Sequence, residues 1–212
     1  MLCSSMGWSC DTRGTHLQEL TDEQLVKQVG RGKTRALGVL VRRHQEQALR
    51  LAFRTLGDWH LAEDVVQDAF LRVNRAASRY KPDAKFSTWF YRIVVNLCMD
   101  VLRKRQREGT SGAGPESASG SGKDDPQARY QVQELQRAVK EAVDRLNERE
   151  RIAVILHRFE GISHREIAEI TETSISAVES VLVRAYRKLR EDLKQFSGNY
   201  EEKPQDMTGT DV

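Results

Sequence analysis

The run Phe86-Ser87-Thr88-Trp89-Phe90-Tyr91-Arg92, followed by Asn96 and the basic cluster Arg103, Lys104, Arg105 and Arg107, sets aromatic rings among cations within one short stretch. Rings stack on exposed bases and cations offset phosphate charge, so the mixture suits a nucleic acid whose bases are being unpaired. Just upstream, Glu63, Asp64, Gln67 and Asp68 recur on one side of an apolar pattern and form an acidic face suited to a basic protein. Both groups also have plainer readings: Trp89 and Phe90 as core contacts at a helix start, and the carboxylates as solvated surface. Further along, Ser163 to Leu193 combines a short apolar-periodic segment, a polar turn and a longer segment trailed by Arg184, Arg187, Lys188 and Arg190. Two helices joined by about three residues fit a helix-turn-helix, with the cations placed for phosphates beside a groove, although an ordinary helical hairpin has the same outline.

The elements that must position these residues are helical throughout. Thr21 and Gln24 form a capping box ahead of a short helix at about Asp22 to Gly30. Ala36, Leu37, Leu40, Val41, Ala48, Leu51, Ala52 and Leu56 keep a helical period, and Gly57 is placed to end that helix in a left-handed conformation. Leu61, Val65, Val66, Ala69, Phe70 and Val73 give the next core stripe, which leaves Asp64, Gln67 and Asp68 on the opposite side. Pro82 marks a turn around Tyr80 to Asp83, and Phe90, Ile93, Val94, Leu97 and Val101 then line the helix that carries Trp89, Arg92, Asn96 and Arg103 on its flank.

Glu108 to Ala128 breaks this pattern with five Gly, four Ser and two Pro in twenty-one residues. So little apolar surface cannot offset ordering entropy, and a chain of this kind spans roughly 25 Å root-mean-square, so two domains can sit on sites far apart. The helical period resumes at Arg129 with Leu135, Val139, Ala142, Val143 and Leu146, then Ile152, Ile155, Leu156 and Phe159, before Glu160-Gly161 interrupts it. Ser163 and Glu166 form a second capping box, Ile167, Ala168 and Ile170 a short buried face, and Val178, Val181 or Leu182, Ala185 and Leu189 the inner side of the last helix.

With 212 residues, 31% charged, and no apolar run of eighteen, the chain reads as soluble, without a membrane span, and long enough for two small domains. The net charge of +3 is less informative than the basic clusters at residues 103–107 and 184–194. Cys3, Cys10 and Cys98 lack metal-ligand spacing, and an odd count without a secretory signal favours reduced thiols in the cytoplasm, Cys98 as a small buried side chain. His44, His60, His157 and His164 show no metal spacing, no catalytic constellation stands out, and no cofactor is expected.

From about Leu20 to Gln195 the chain resembles bacterial RNA polymerase sigma factors of the extracytoplasmic-function (ECF) type in the sigma-70 family. Asp64-Val65-Val66-Gln67-Asp68-Ala69-Phe70-Leu71 looks like that family's core-polymerase-binding helix, and Phe86 to Asn96 like its −10 promoter-binding segment. The resemblance implies an all-α fold of two small helical domains, sigma region 2 at 20–107 and helix-turn-helix region 4 at 129–195. Residues 108–128 form the flexible linker, which in the family passes near the RNA exit path, and 1–19 and 196–212 are polar tails, with Met6 an alternative start to Met1. It further implies that Asp64, Gln67, Asp68 and Leu71 meet the clamp coiled coil of the largest polymerase subunit, and that region 4 meets the flap of the second-largest. Tyr80 and Asn96 would line the pocket for a base flipped from the −10 non-template strand, while Trp89, Arg92 and Arg103 hold the strand or adjacent duplex.

By the same resemblance Ser174, Ser176, Ala177, Glu179, Ser180, Val183 and Arg184 face the −35 major groove, with Arg187 and Lys188 behind them. Many relatives carry Arg or Lys where this chain has Glu179 and Arg where it has Val181, so the −35 sequence stays open. An anti-sigma factor that covers the docking faces is implied as a further partner, and the cytoplasm of a bacterium as the location. Two other readings explain less. A conventional helix-turn-helix regulator leaves Asp64 to Phe70 and Phe86 to Asn96 without a role, and a serine recombinase needs an α/β catalytic domain that residues 20–107 do not resemble.

Overall fold

The computed structural model describes residues 17–81, 85–108 and 126–199, and among them the regular structure is entirely helical. The tails, the tip of the turn at 82–84 and residues 109–125 of the expected linker lie outside the described residues.

Helix α1 (Asp22–Gly30) starts with the Thr21/Gln24 capping box, and α2 (Thr34–Leu56) ends at Gly57, whose φ of 68° lets its N–H bond Phe53 O at 2.7 Å. That left-handed residue reverses the chain into α3 (Trp59–Ala76), whose N-cap Asp58 accepts the Leu61 N–H. A 3₁₀ turn (Ala77–Arg79) leads towards α4 (Phe86–Glu108), which crosses both α2 and α3. In α2 to α4 the buried residues include Leu40, Leu51, Val65, Phe70, Phe90 and Val94 of the expected stripes, and Cys98 is buried as expected, whereas Leu37, Val41, Leu61, Ile93 and Val101 are only half-buried and Val39, Ala62, Phe86 and Val95 join the core. Burial pushes the Cys98 thiol up to about 12, so it stays protonated and unreactive. Glu23 of α1 accepts the Phe86 N–H at the head of α4, and this bond holds its carboxyl below the usual range.

The second bundle opens with α5 (Pro126–Asp144), which begins inside the stretch expected to be linker. Proline suits a first helical position because its missing N–H would have no partner there. Asn147 caps α6 (Glu148–Val154), which runs into a π turn (Ile155–Phe159) closed by Glu160 N–H to Ile155 O. The wider turn rotates the residues at its end, so Phe159, expected inside, is 44% exposed. The Arg54 guanidinium lies 5.0 Å from its ring centroid, which keeps the ring covered by a cation instead of core. Ser163 caps α7 (His164–Thr171), Glu172 turns at φ 55°, and Ser174 caps α8 (Ile175–Asp192). Leu182, and not Val181, is the fully buried member of α8 at that step.

The bundles do not stand apart, as free domains on a linker would. α4 packs along α7, α2 meets the π turn, and Arg151 Nη1 donates to Thr55 O across the junction.

Gly30 closes α1 where a Cβ would come 2.8 Å from Ala77 O, a backbone atom that cannot swing aside. Gly30→Ala is therefore expected to destabilise the chain by about 1–3 kcal/mol despite the roughly 1 kcal/mol better helix propensity of Ala, readable as a lower denaturant midpoint.

Candidate polymerase and nucleic-acid interfaces

On α3 the buried row Val65, Val66, Ala69, Phe70 and Val73 turns Asp64, Gln67 and Leu71 outward, and Leu71 is 52% exposed. Asp68 shares this side but is paired within the helix, its Oδ2 3.1 Å from Arg72 Nη2.

α4 is anchored by rings. Phe86 and Phe90 stack with centroids 5.6 Å apart, Phe70 lies 4.7 Å from Phe90, and His44 meets Phe86 edge-on at 5.0 Å. His44 Nε2 bonds Asp22 Oδ2 at 2.7 Å, and Asp22 Oδ1 pairs with Arg43 at the same distance, so one carboxylate ties α1 to α2 behind the ring cluster. With one side of α4 held this way, its residues distribute by helical geometry. Lys85, Trp89, Arg92, Asn96 and Arg103 lie at offsets of 4, 7, 11 and 18 from the first, which at 100° per residue keeps them within about 60° of one another along roughly 27 Å. Asn96 and Arg103 are exposed, and Arg92 and Trp89 are half-buried. Trp89 packs on Tyr80 at 4.9 Å and on Phe86 at 6.0 Å, so it forms the wall between core and stripe, with Tyr80 beside it.

The rest of the basic cluster is partly structural. Arg105 bonds Leu56 O and Asp58 Oδ2, closing the α2–α3 corner from behind, and Arg107 Nε donates to Arg103 O. Asp58 is held below the usual carboxylate range by the Leu61 N–H first and by Arg105 beside it.

On α8 the outward row is Ser176, Glu179, Ser180, Val183, Arg184 and Arg187, and Val183 is 70% exposed. Ala177 is half-buried. Ser174 Oγ accepts the Ala177 N–H as the N-cap, and Ser180 Oγ donates to Ser176 O, so both hydroxyls already have backbone partners. Glu179 lies 3.8 Å from His164 Nδ1. Behind the row, His157 Nδ1 meets the Tyr186 hydroxyl at 2.8 Å and stacks near His164, and burial first, then His164 and Arg158, hold His157 below its ordinary value. Lys188 points elsewhere: its Nζ lies 2.9 Å from both oxygens of the buried Glu150, the same carboxylate that caps α6 through the Asn147 N–H.

Four acidic residues not singled out from the pattern, or read only as a cap, border the first bundle. Glu148, Glu160, Glu166 and Glu172 meet Arg103, Arg54, Lys85 and Arg92. The Ser163 hydroxyl first, then Lys85, hold Glu166 below its usual range, whereas burial and the Glu160 charge raise Tyr91 to about 12. No periodicity could have flagged these residues, because their partners lie at least 45 positions away in the chain.

The arrangement defines a class: a helical bundle with a ring-anchored basic stripe, followed by a helix-turn-helix. The family profile for sigma-70 region 2 matches residues 40–108, and that for sigma-70 region 4 matches 136–189. The chain is 33% identical over 177 residues to the RNA polymerase sigma-H factor of Pseudomonas aeruginosa, covering 80% of this chain and 92% of that one. It is 33% identical over 178 residues to the ECF RNA polymerase sigma-E factor of Escherichia coli K12, covering 79% and 92%. Among solved structures, CnrH in complex with the cytosolic domain of CnrY aligns with a TM-score of 0.60 at 29% identity, over 82% of this chain and 97% of that one. The sigma factor RpoE in complex with the anti-sigma factor NepR from Bartonella quintana aligns with a TM-score of 0.55 at 25% identity, over 73% and 94%. The chain belongs to the ECF branch of the sigma-70 family of RNA polymerase sigma factors. No helix among the described residues is long and apolar enough to cross a membrane.

Because Lys188 neutralises a buried carboxylate, Lys188→Met is expected to lower stability by about 1–3 kcal/mol and the Tm by several degrees. A residue serving only as a phosphate ligand would weaken promoter binding with the Tm unchanged.

Proposed function

We propose that each surface of this sigma factor has one partner, and that the chain works as a binding subunit of RNA polymerase and not as a catalyst. Asp64, Gln67, Asp68 and Leu71 dock on the clamp coiled coil of the largest polymerase subunit, carboxylates meeting basic side chains around an apolar contact at Leu71. The α4 stripe takes the non-template strand of the −10 element. Unstacking a base costs a few kcal/mol, and a pocket with the Tyr80 ring and the Asn96 amide returns that energy only once the base is out of the duplex, which favours the melted state. Arg92 and Arg103 offset backbone phosphates, and Trp89 shapes the pocket wall. On α8, Ser176, Ala177, Glu179 and Ser180 lie against base edges of the −35 element, with Ser174 at the helix N-terminus and Arg184 and Arg187 on the phosphates. Lys188 supports this helix through Glu150.

In this reading residues 20–107 are the polymerase and −10 domain, 129–195 are the −35 domain that also meets the flap of the second-largest subunit, and the segment between them spans the distance. An anti-sigma factor in the bacterial cytoplasm restrains the free chain, a reading supported by the relative from Bartonella quintana that forms such a complex. The observation that carries the proposal is the separation of surfaces: Asp64, Gln67 and Leu71 stand out from α3 while Asn96 stands out from α4, all exposed on one shared core.

Run-off transcription with core polymerase and a randomised promoter library tests the assignment. Wild type is expected to initiate at a two-part motif. Asp64→Arg/Asp68→Arg should bind polymerase at least about tenfold more weakly, about 1.4 kcal/mol. Asn96→Ala should keep polymerase affinity and lose about tenfold or more in −10 selection, the range of a lost base-edge contact. Tight duplex binding without polymerase, and no initiation with it, would overturn the reading.

A further inference from the structure

The outward row of α8 carries one carboxylate, and that carboxylate is uncommitted. Glu179 Oε1 lies 3.8 Å from His164 Nδ1, beyond hydrogen-bond reach, and the side chain is 55% exposed. Among the described residues no Lys or Arg pairs with it. Other acidic residues of the second bundle differ: Glu150, Glu166 and Glu172 are bonded to Lys188, Lys85 and Arg92. Glu179 therefore keeps its lone pairs open on the helix that faces the groove.

Its neighbours on the row sharpen this. Ser180 Oγ spends its proton on Ser176 O, so what it turns outward is an acceptor. Val183, 70% exposed, offers no hydrogen bond. The next cations, Arg184 and Arg187, stand about 7 and 12 Å further along the axis at 1.5 Å per residue. The stretch from Glu179 to Val183 thus presents acceptors and an apolar side chain to whatever lies against it.

We propose that Glu179 selects a cytosine in the −35 element, its carboxylate accepting a hydrogen of the N4 amino group in the major groove. The proposal rests on the reading of α8 as the −35 helix and names the base that helix requires. A carboxylate turned towards DNA is repelled by phosphates, and only a base-edge donor offsets that repulsion. Guanine presents two acceptors there, N7 and O6, and thymine presents O4, so both repel it. Adenine has a donor at N6, but its N7 acceptor stands beside that donor and faces the same carboxylate. Cytosine alone offers an amino group with no acceptor next to it on its own edge. Arg184 and Arg187, further along the helix, supply the positive charge for the backbone.

The test uses the full chain assembled with core polymerase, a promoter library randomised across the −35 region, and sequencing of the templates that yield run-off transcripts. Wild type is expected to favour cytosine over guanine at one position by about tenfold, the range of one base-edge contact. In Glu179→Gln the same position should change identity to adenine, because the amide can donate to N7 while it accepts from N6. In Glu179→Ala that position should flatten to within about twofold among the four bases, while the other −35 positions keep theirs. A glutamate that is merely solvated surface would change no base preference. Side-chain exposure makes both variants compatible with the fold, and Gln keeps the shape of Glu. A −35 preference that is the same in wild type and both variants, or a shift spread evenly over all −35 positions, overturns the assignment of cytosine to Glu179. That outcome leaves α8 as the −35 helix. If wild type selects bases in the −10 region and none in the −35 region, the placement of α8 fails, and the cytosine contact with it.

Discussion

The packing of Phe86 and Phe90 against Phe70 and His44 is the constraint on which the rest of the first bundle depends. α4 has apolar residues on much of its circumference, and several rotations would bury comparable area. Fully burying two aromatic side chains contributes several kcal/mol, about 1.5–3 each by area alone, and the stacked pair admits one rotation. Once that rotation is set, Lys85, Arg92, Asn96 and Arg103 have only one side on which to stand. The polar support is equally specific. Asp22 holds His44 and Arg43 behind the rings, and Glu23 takes the Phe86 N–H, so the first turn of α1 braces the head of α4.

The cations of this protein divide into two groups that composition alone treats as one. Arg105 is committed to Leu56 O and Asp58, Lys188 to Glu150, and Arg151 to Thr55 O across the junction. These bonds hold corners and caps where a backbone carbonyl or buried carboxylate would otherwise lack a donor. Arg184 and Arg187 remain exposed on α8, while Lys85, Arg92 and Arg103 are shared with the carboxylates of the second bundle. The basic balance of the chain is thus partly fold and partly function.

A sigma factor must present DNA-reading surfaces in the polymerase complex and yet remain a folded, non-aggregating protein without it. Here the two bundles meet through α4 and α7, with ion pairs at the rim, and among the exposed apolar residues Leu71 and Val183 lie on the faces proposed for polymerase and for the −35 element.

The sequence by itself determined the helices, their caps and the family. Thr21/Gln24, Ser163/Glu166 and Gly57 act through neighbours within a few residues, and three- and four-residue apolar steps report directly which side of a helix is buried. The sigma resemblance rests on the same kind of local string. Tertiary structure alone decided the rotation of Phe159 out of the core, because a π turn depends on how the next loop packs and has no fixed composition. It also decided that Lys188 serves Glu150, that Arg105 serves the α2–α3 corner, and that the second bundle turns Glu148, Glu160, Glu166 and Glu172 towards the first. Those pairings join residues 38 to 106 positions apart. Nothing in a local period encodes such a distance; only the packing of one helix face on another brings the charges within reach.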